Sequence, residues 1–189
     1  MNLHPAPVPQ SFTGDFFRME PLHPRHVELD YAAVMSTKQF LRAWSNSPWP
    51  QDDFTIEDNR KDLEWHYDEF VQQIAFTYTV LSPRGDTCLG CVYINPITRI
   101  AEASASESVL LNQSAVVCTW WLIHSLHGAC QEQSFFKRLV AWLKTKWQFP
   151  EVLFANNPHT PHQAAIYREN SLQLWLTLEK NSRYQQLWK

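Results

Sequence analysis

The chain has 189 residues, 44% of them apolar, with nine tryptophans and a formal net charge of −3. That length suits one domain with a substantial core, and the balance of charge lacks the basic footprint of a nucleic-acid binder. No apolar run is long enough for a membrane span and residues 1–10 lack the basic flank and apolar stretch of a signal peptide, so a cytoplasmic location with no membrane or nucleic-acid partner is expected.

Pro5, Pro7 and Pro9 predict a flexible, extended arm over residues 1–12, ahead of a single domain over 13–189. Residues 16–22 read as a strand ended by Pro21 and Pro24, and residues 23–44 as a helix with Val27, Tyr31, Val34 and Met35 at helical spacing. Pro48 and Pro50 mark a loop over 45–54. Thr55 with Asp58 three residues on is an N-cap signature, followed by the core-facing stripe Leu63, Tyr67, Phe70 and Ile74.

Residues 75–81 and 88–95 read as a hairpin around Ser82-Pro83-Arg84-Gly85-Asp86. Residues 99–114 carry no assignable period. Residues 116–123 form a continuous apolar run, as a strand buried on both faces does, and Phe135, Leu139, Trp142, Leu143 and Trp147 mark a helix after it. A strand over 152–155, a helix over 161–170 and strands over 172–178 and 184–188 complete the order. The expectation is an α/β (α+β) domain: a mixed, mostly antiparallel central sheet with helices on both faces.

The four cysteines include a CxxC at Cys88 and Cys91, which invites a zinc or redox reading. Residues three apart in a regular strand point to opposite faces, so these thiols are not expected to share a metal; buried, unbridged cysteines are the better account. His124, His127 and Cys130 are spaced by three, and His159 and His162 form a second pair. On a helix each set would share a face, but neither is assigned an acidic partner, and no metal is expected.

Two segments carry a motif. Ser125-Leu126-His127-Gly128-Ala129-Cys130 follows the apolar run and opens the next helix; Asn156-Asn157-Pro158 follows the strand at 152–155, ahead of Ala164-Ala165-Ile166-Tyr167-Arg168-Glu169-Asn170. With the element order, these residues resemble the GNAT superfamily of acetyl-CoA-dependent N-acetyltransferases. The family carries Arg/Gln-x-x-Gly-x-Gly/Ala at the first segment, where backbone N–H groups and a helix N-terminus cradle the coenzyme A pyrophosphate. Gly128 keeps the first glycine; Ser125 replaces the Arg/Gln and Cys130 the second small residue. The alternative for this segment is a plain strand–turn–helix junction.

The resemblance implies an acyl-CoA N-acyltransferase-like fold with acetyl-CoA as co-substrate. It places the coenzyme on Trp121, Leu122, Ile123, Ser125, His127, Gly128, Ala129, Cys130, Asn157 and Tyr167, with a backbone N–H of Trp121 or Leu122 polarising the thioester. Tyr167 would protonate the leaving thiolate, or simply pack on the sheet. No acid lies in 116–123, so Glu102 and Glu107 are the general-base candidates, with His124 and His127 also open. Trp49, Asp52 and Asp53, in the loop between the first two helices, would face a cationic small-molecule or peptide amine; the two Asp would also serve as helix-preceding charge. An active N-acetyltransferase, a GNAT-fold protein that has lost catalysis and binds a ligand or partner, and a metal-binding protein using the His pairs are the three readings. A homodimer is open.

Overall fold

One eight-stranded sheet organises the chain: β1 (Phe12–Thr13), β2 (Arg18–Pro21), β3 (Phe76–Leu81), β4 (Cys88–Pro96), β5 (Val116–Leu122), β6 (Val152–Asn156), β7 (Leu174–Thr177) and β8 (Gln186–Trp188), in the order β1-β2-β3-β4-β5-β6-β8-β7. Every neighbouring pair is antiparallel except β5 and β6. Among the described residues six helices accompany it: α1 (Val27–Ser36), α2 (Lys38–Ser45), α3 (Ile56–Val71), α4 (Ala105–Leu110), α5 (Cys130–Lys146) and α6 (Pro161–Glu169). The computed structural model describes residues 7–100, 103–111, 115–180 and 183–189. The mixed, mostly antiparallel sheet with helices on both faces is the architecture expected from the sequence.

The central strand explains the layering. Val116, Cys118, Trp120 and Leu122 point into a core shared with Phe135, Phe136 and Leu139 of α5 and Tyr167 of α6. Trp121 points the other way, into a core built from α1, α2 and α3. Every residue of β5 is buried, so a period-2 pattern is absent from its sequence by necessity. Each large side chain removed from water contributes roughly 1.5–3 kcal/mol, and Trp120 and Trp121 are both fully buried.

The helix expected over residues 23–44 is divided. A 3-10 turn at Pro24–His26 leads into α1, and Thr37 (φ −117°, ψ 12°) separates α1 from α2. Ser36 Oγ bonds back to the Ala33 carbonyl at 2.9 Å, and Thr37 Oγ1 accepts the His124 N–H at 3.3 Å. Local hydroxyl bonds compete with the helix here and dock the break against the end of β5. In the unassigned stretch, α4 starts at a capping box of Ser104 and Glu107; its six residues are too few for periodicity to show.

Within the arm expected over residues 1–12, Pro9 and Phe12 are packed on the domain. Residues 1–6 lie outside the described residues, but Tyr78 Oη donates to the Pro9 carbonyl at 2.5 Å and Phe12 stacks on Trp142 with ring centroids 5.4 Å apart. Phe12 also pairs with Met19.

The expectation that the two CxxC thiols face opposite sides is overturned. In β4, Gly90 pairs with Val80 but Cys88 pairs with Leu81, leaving Leu89 as an extra residue. This β-bulge shifts the alternation by one, so Cys88 and Cys91 lie in the same core. Gly90 makes the bulge with φ +148°, and a Cβ there would meet the Trp121 carbonyl oxygen at 2.0 Å. Cys91 Sγ donates to Asp30 Oδ1 at 3.4 Å and Cys88 Sγ lies 4.0 Å from the same oxygen. Both cysteines are buried and free, as expected.

Candidate active site

The parallel pairing of β5 and β6 runs only from Val116↔Val152 to Cys118↔Phe154; beyond it β5 continues to Leu122 while β6 pairs with β8. The strands splay, and the edge of β5 beyond Cys118 takes its partners from side chains. Gln163 Nε2 donates to the Trp120 carbonyl and His127 Nε2 to the Leu122 carbonyl, both at 2.8 Å. A carbonyl only accepts, so Nε2 of His127 carries its proton. The Ile123 N–H points the opposite way, to the Leu89 carbonyl at 2.9 Å. By strand alternation the Trp121 amide also faces β4. Of the two backbone positions expected to polarise a carbonyl, Leu122 lies on the open edge and Trp121 does not.

The loop after β5 makes a 3-10 turn at His124–Leu126 and reaches α5 at Cys130, whose N-cap, Ala129, offers no side-chain bond. Ser125, Gly128 and Cys130 are exposed. Gly128 adopts φ +71° with open space around its Cα. Its N–H, which a bound phosphate would seek, donates to Glu132 Oε2 at 2.7 Å. Burial raises the Glu132 carboxyl, and the Gly128 bond partly offsets this.

On the α1–α3 side, a cavity of about 260 Å³ is lined by Trp44, Trp49, Asp62, His66, Tyr93 and Arg183, among others. The Arg183 guanidinium lies 3.9 Å from the Trp44 ring centroid and 5.2 Å from that of Tyr93. Burial raises the Asp62 carboxyl, with a bond from Trp49 opposing it. His66 is pushed down to about 4 by burial, then by Arg183 and Arg99, so it is uncharged at neutral pH. Of the three residues expected to face an amine, Trp49 is on this lining. Asp52 and Asp53 are not: both are exposed, and Asp52 is held by Lys38 at 2.6 Å and Arg42 at 2.8 Å.

No family model matches the sequence, and no curated protein matches it. Solved structures do. A RimL ribosomal L7/L12 α-N-protein acetyltransferase in complex with coenzyme A superposes with TM-score 0.67 and 16% identity over 93% of this chain and 92% of that one. The ribosomal-protein-S5-alanine acetyltransferase of Vibrio fischeri gives 0.67 and 15% over 94% and 93%. The Microcin C7 self-immunity acetyltransferase MccE, in complex with acetyl-CoA and AMP, gives 0.67 and 13% over 99% and 97%. The chain has the GNAT fold. Among the described residues no helix is long and apolar enough to cross a membrane.

Within that GNAT fold several expected site residues occupy structural positions. Tyr167 is fully buried and its hydroxyl donates to the Ala155 carbonyl at 3.1 Å, between Phe136 and Trp188. Burial pushes it well above the usual tyrosine value. A proton locked in that bond is badly placed for a thiolate, so packing on the sheet is what the geometry supports. Asn157, also fully buried, donates to the Ala43 and Trp44 carbonyls at 3.0 and 2.9 Å, tying the end of β6 to the end of α2. Glu107 caps α4 and accepts the Glu179 N–H at 2.7 Å; bonds to Ser104, its largest influence, hold it below the usual carboxylate value. Its carboxylate serves as the cap of α4. Glu102 lies outside the described residues.

The histidines converge across the two sequence sets. His127 and His162 stack with centroids 5.0 Å apart, and Phe40 sets its edge against both, at 4.4 and 5.2 Å. The acidic partner missing from the sequence reading is Glu132, whose Oε1 lies 3.8 Å from His162 Nε2. His162 is lowered to about 4 by burial and by the two neighbouring histidines. Sequence reasoning also missed Gln163, Trp44, Asp62 and Arg183. The one available signal was Gln163, which stands four residues before Tyr167 on the buried side of α6.

Proposed function

We propose that this chain is an acetyl-CoA-dependent N-acetyltransferase that acts on a cationic amine bound in the Trp44–Trp49–Tyr93 cavity. The observation that carries the reading is Arg183: the cavity already holds a cation of the chain itself, 3.9 Å from the Trp44 ring centroid, with Asp62 on the lining. An aromatic face and a carboxylate are what a protonated amine needs. An acceptor amine takes the place of Arg183, whose segment lies in the β7–β8 connection.

The splayed edge of β5 supports acetyl-CoA as the donor. Trp120 presents a carbonyl that accepts an N–H donor, here Gln163; an amide of a pantetheine arm replaces that side chain. The Leu122 N–H, on the same edge, then faces the thioester oxygen. The deprotonated amine attacks the thioester carbon, negative charge gathers on that oxygen, and the carbon–sulfur bond breaks to give the amide and the thiol. Asp62 and the uncharged His66 are the lining groups able to accept the amine proton. The pyrophosphate rests on the open surface at Gly128 and the first turn of α5.

Calorimetry with acetyl-CoA followed by thiol release over a panel of mono- and diamines tests this. Binding, turnover, and a KM for the amine raised about tenfold in Trp44→Ala are expected; no binding at millimolar acetyl-CoA ends the reading. Binding without turnover selects the second reading, a ligand-binding protein without catalysis. In such a protein the Glu132 carboxylate would keep its place on the Gly128 N–H.

A further inference from the structure

Two groups of metal-competent side chains exist among the described residues, each with its ligand atoms within 4.8 Å of one another: Asp30, Cys88 and Cys91, and His127, Glu132 and His162. Only the second has coordinating atoms left over. Glu132 is 1% exposed, yet its Oε1 has no hydrogen-bond partner, and neither has His162 Nε2, which it faces at 3.8 Å. A buried carboxylate oxygen with no donor is costly, and such groups ask for an explanation.

We propose that His127, Glu132 and His162 form a binding site for a divalent transition-metal ion of the zinc type, with one coordination position open to the adjoining cavity. Two imidazoles and a carboxylate are the donor set of open zinc sites, in which three protein ligands leave a fourth position for water or a ligand. Nitrogen donors select zinc, cobalt or nickel over magnesium and calcium, which take oxygen. Ligand atoms on a tetrahedral zinc are ~3.3 Å apart, given metal–ligand bonds of about 2.0–2.1 Å. The 3.8 Å between Glu132 Oε1 and His162 Nε2 therefore closes by about half an ångström.

The surroundings orient the donors as metal ligands are oriented. His127 gives its Nε2–H to the Leu122 carbonyl, which leaves Nδ1 with the free lone pair. Glu132 accepts the Gly128 N–H on Oε2, which leaves Oε1 for the ion. Phe40 packs edge-to-face with both rings. His127 and His162 line a cavity of about 680 Å³ with Thr37, Lys38 and Phe40, so the fourth position has room and an entry path. The donors come from three elements far apart in sequence: the loop after β5, the first turn of α5 and α6.

The test uses the full chain, free of any histidine tag and stripped by a chelator, titrated with Co²⁺ and Zn²⁺ alone. One equivalent of Co²⁺ is expected, giving visible ligand-field bands without a near-ultraviolet thiolate charge-transfer band, and Zn²⁺ should displace it and raise the melting temperature. Glu132→Gln and His162→Gln should each abolish the stoichiometric step, and His124→Gln should keep it. Circular-dichroism melts of the metal-free variants check that each is folded; the wild-type spectrum decides the question even where one is not. Absence of stoichiometric binding, a thiolate band, or full binding in both ligand variants overturns the proposal. None of these readouts depends on acetyl transfer.

Discussion

The two trios of potential ligands differ in donor chemistry, but unsatisfied valence and access are what separate them as sites. In the first, Asp30 accepts from Asn59 Nδ2 at 3.0 Å and from Cys91 Sγ at 3.4 Å, and all three members are at most 3% exposed. Its hydrogen bonds are made and it is sealed. In the second, a carboxylate oxygen and an imidazole nitrogen remain unpartnered beside a cavity. Sulfur is the better zinc ligand in isolation, yet the histidine trio is the one poised to bind. A donor set becomes a site through what its neighbours leave unsatisfied.

The largest expected effect breaks the sealed trio at its origin. Gly90→Ala forces a side chain into φ +148° and against the Trp121 carbonyl oxygen. Clash and strain together should cost roughly 3–5 kcal/mol, read as a lower urea midpoint. A loss below about 1 kcal/mol would mean that the bulge relaxes and that Cys88 need not share a face with Cys91.

Next in size is the titration of Asp30, which burial raises from 3.8 to about 6 despite bonds from Asn59 and Cys91. A carboxyl whose folded pKa is raised favours its protonated form in the fold. Its contribution is therefore fully present below 3.8, declines as pH rises toward 6, and stays lost above. Two pKa units correspond to ~3 kcal/mol. The difference in unfolding free energy between wild type and Asp30→Asn should change by about that amount between pH 3.5 and 6.5 and be flat above; a difference independent of pH refutes the buried-charge account.

Between the trios runs the free edge of β5. Gln163→Leu removes the donor to the Trp120 carbonyl, but it also removes a Gln Oε1 that is itself buried without a partner. The two desolvation terms oppose, so about 1 kcal/mol of stability should be lost. Acetyl-CoA should then bind several-fold more tightly, since no side-chain amide has to leave the edge first. Weaker binding would assign Gln163 to the coenzyme instead.

The sequence carried the fold well, because its signals are periodic. The all-buried run of β5, the Thr55–Asp58 capping box and the hairpin around residues 82–86 each obey a local rule. What escaped depends on breaks in a period or on distant partners. One extra residue at Leu89 reverses the facing of Cys88, and Thr37 ends a helix that periodicity would continue. Asn157 and Tyr167 match a family pattern in spacing, yet their polar atoms are spent on the carbonyls of Ala43, Trp44 and Ala155. Glu132 lies five residues after His127 but thirty before His162. No spacing rule joins them; the sheet does, by bringing the start of α5 beside α6.

The smallest expected effect is at Asp52. Lys38 and Arg42, bonding to it, hold its carboxyl at about 2, so the ion pairs persist until pH falls through that value. The carboxylate is fully exposed, and such pairs contribute little to stability. Asp52→Asn should leave the melting temperature and the KM for an amine unchanged, in contrast with Trp44→Ala. It should, however, free Lys38, which borders the histidine cavity, and the added positive charge should weaken zinc binding slightly at low salt and not at high salt. A raised amine KM would return Asp52 to the acceptor site. A zinc affinity that ignores both the substitution and the salt would place the ion beyond the field of Lys38, away from His127 and His162.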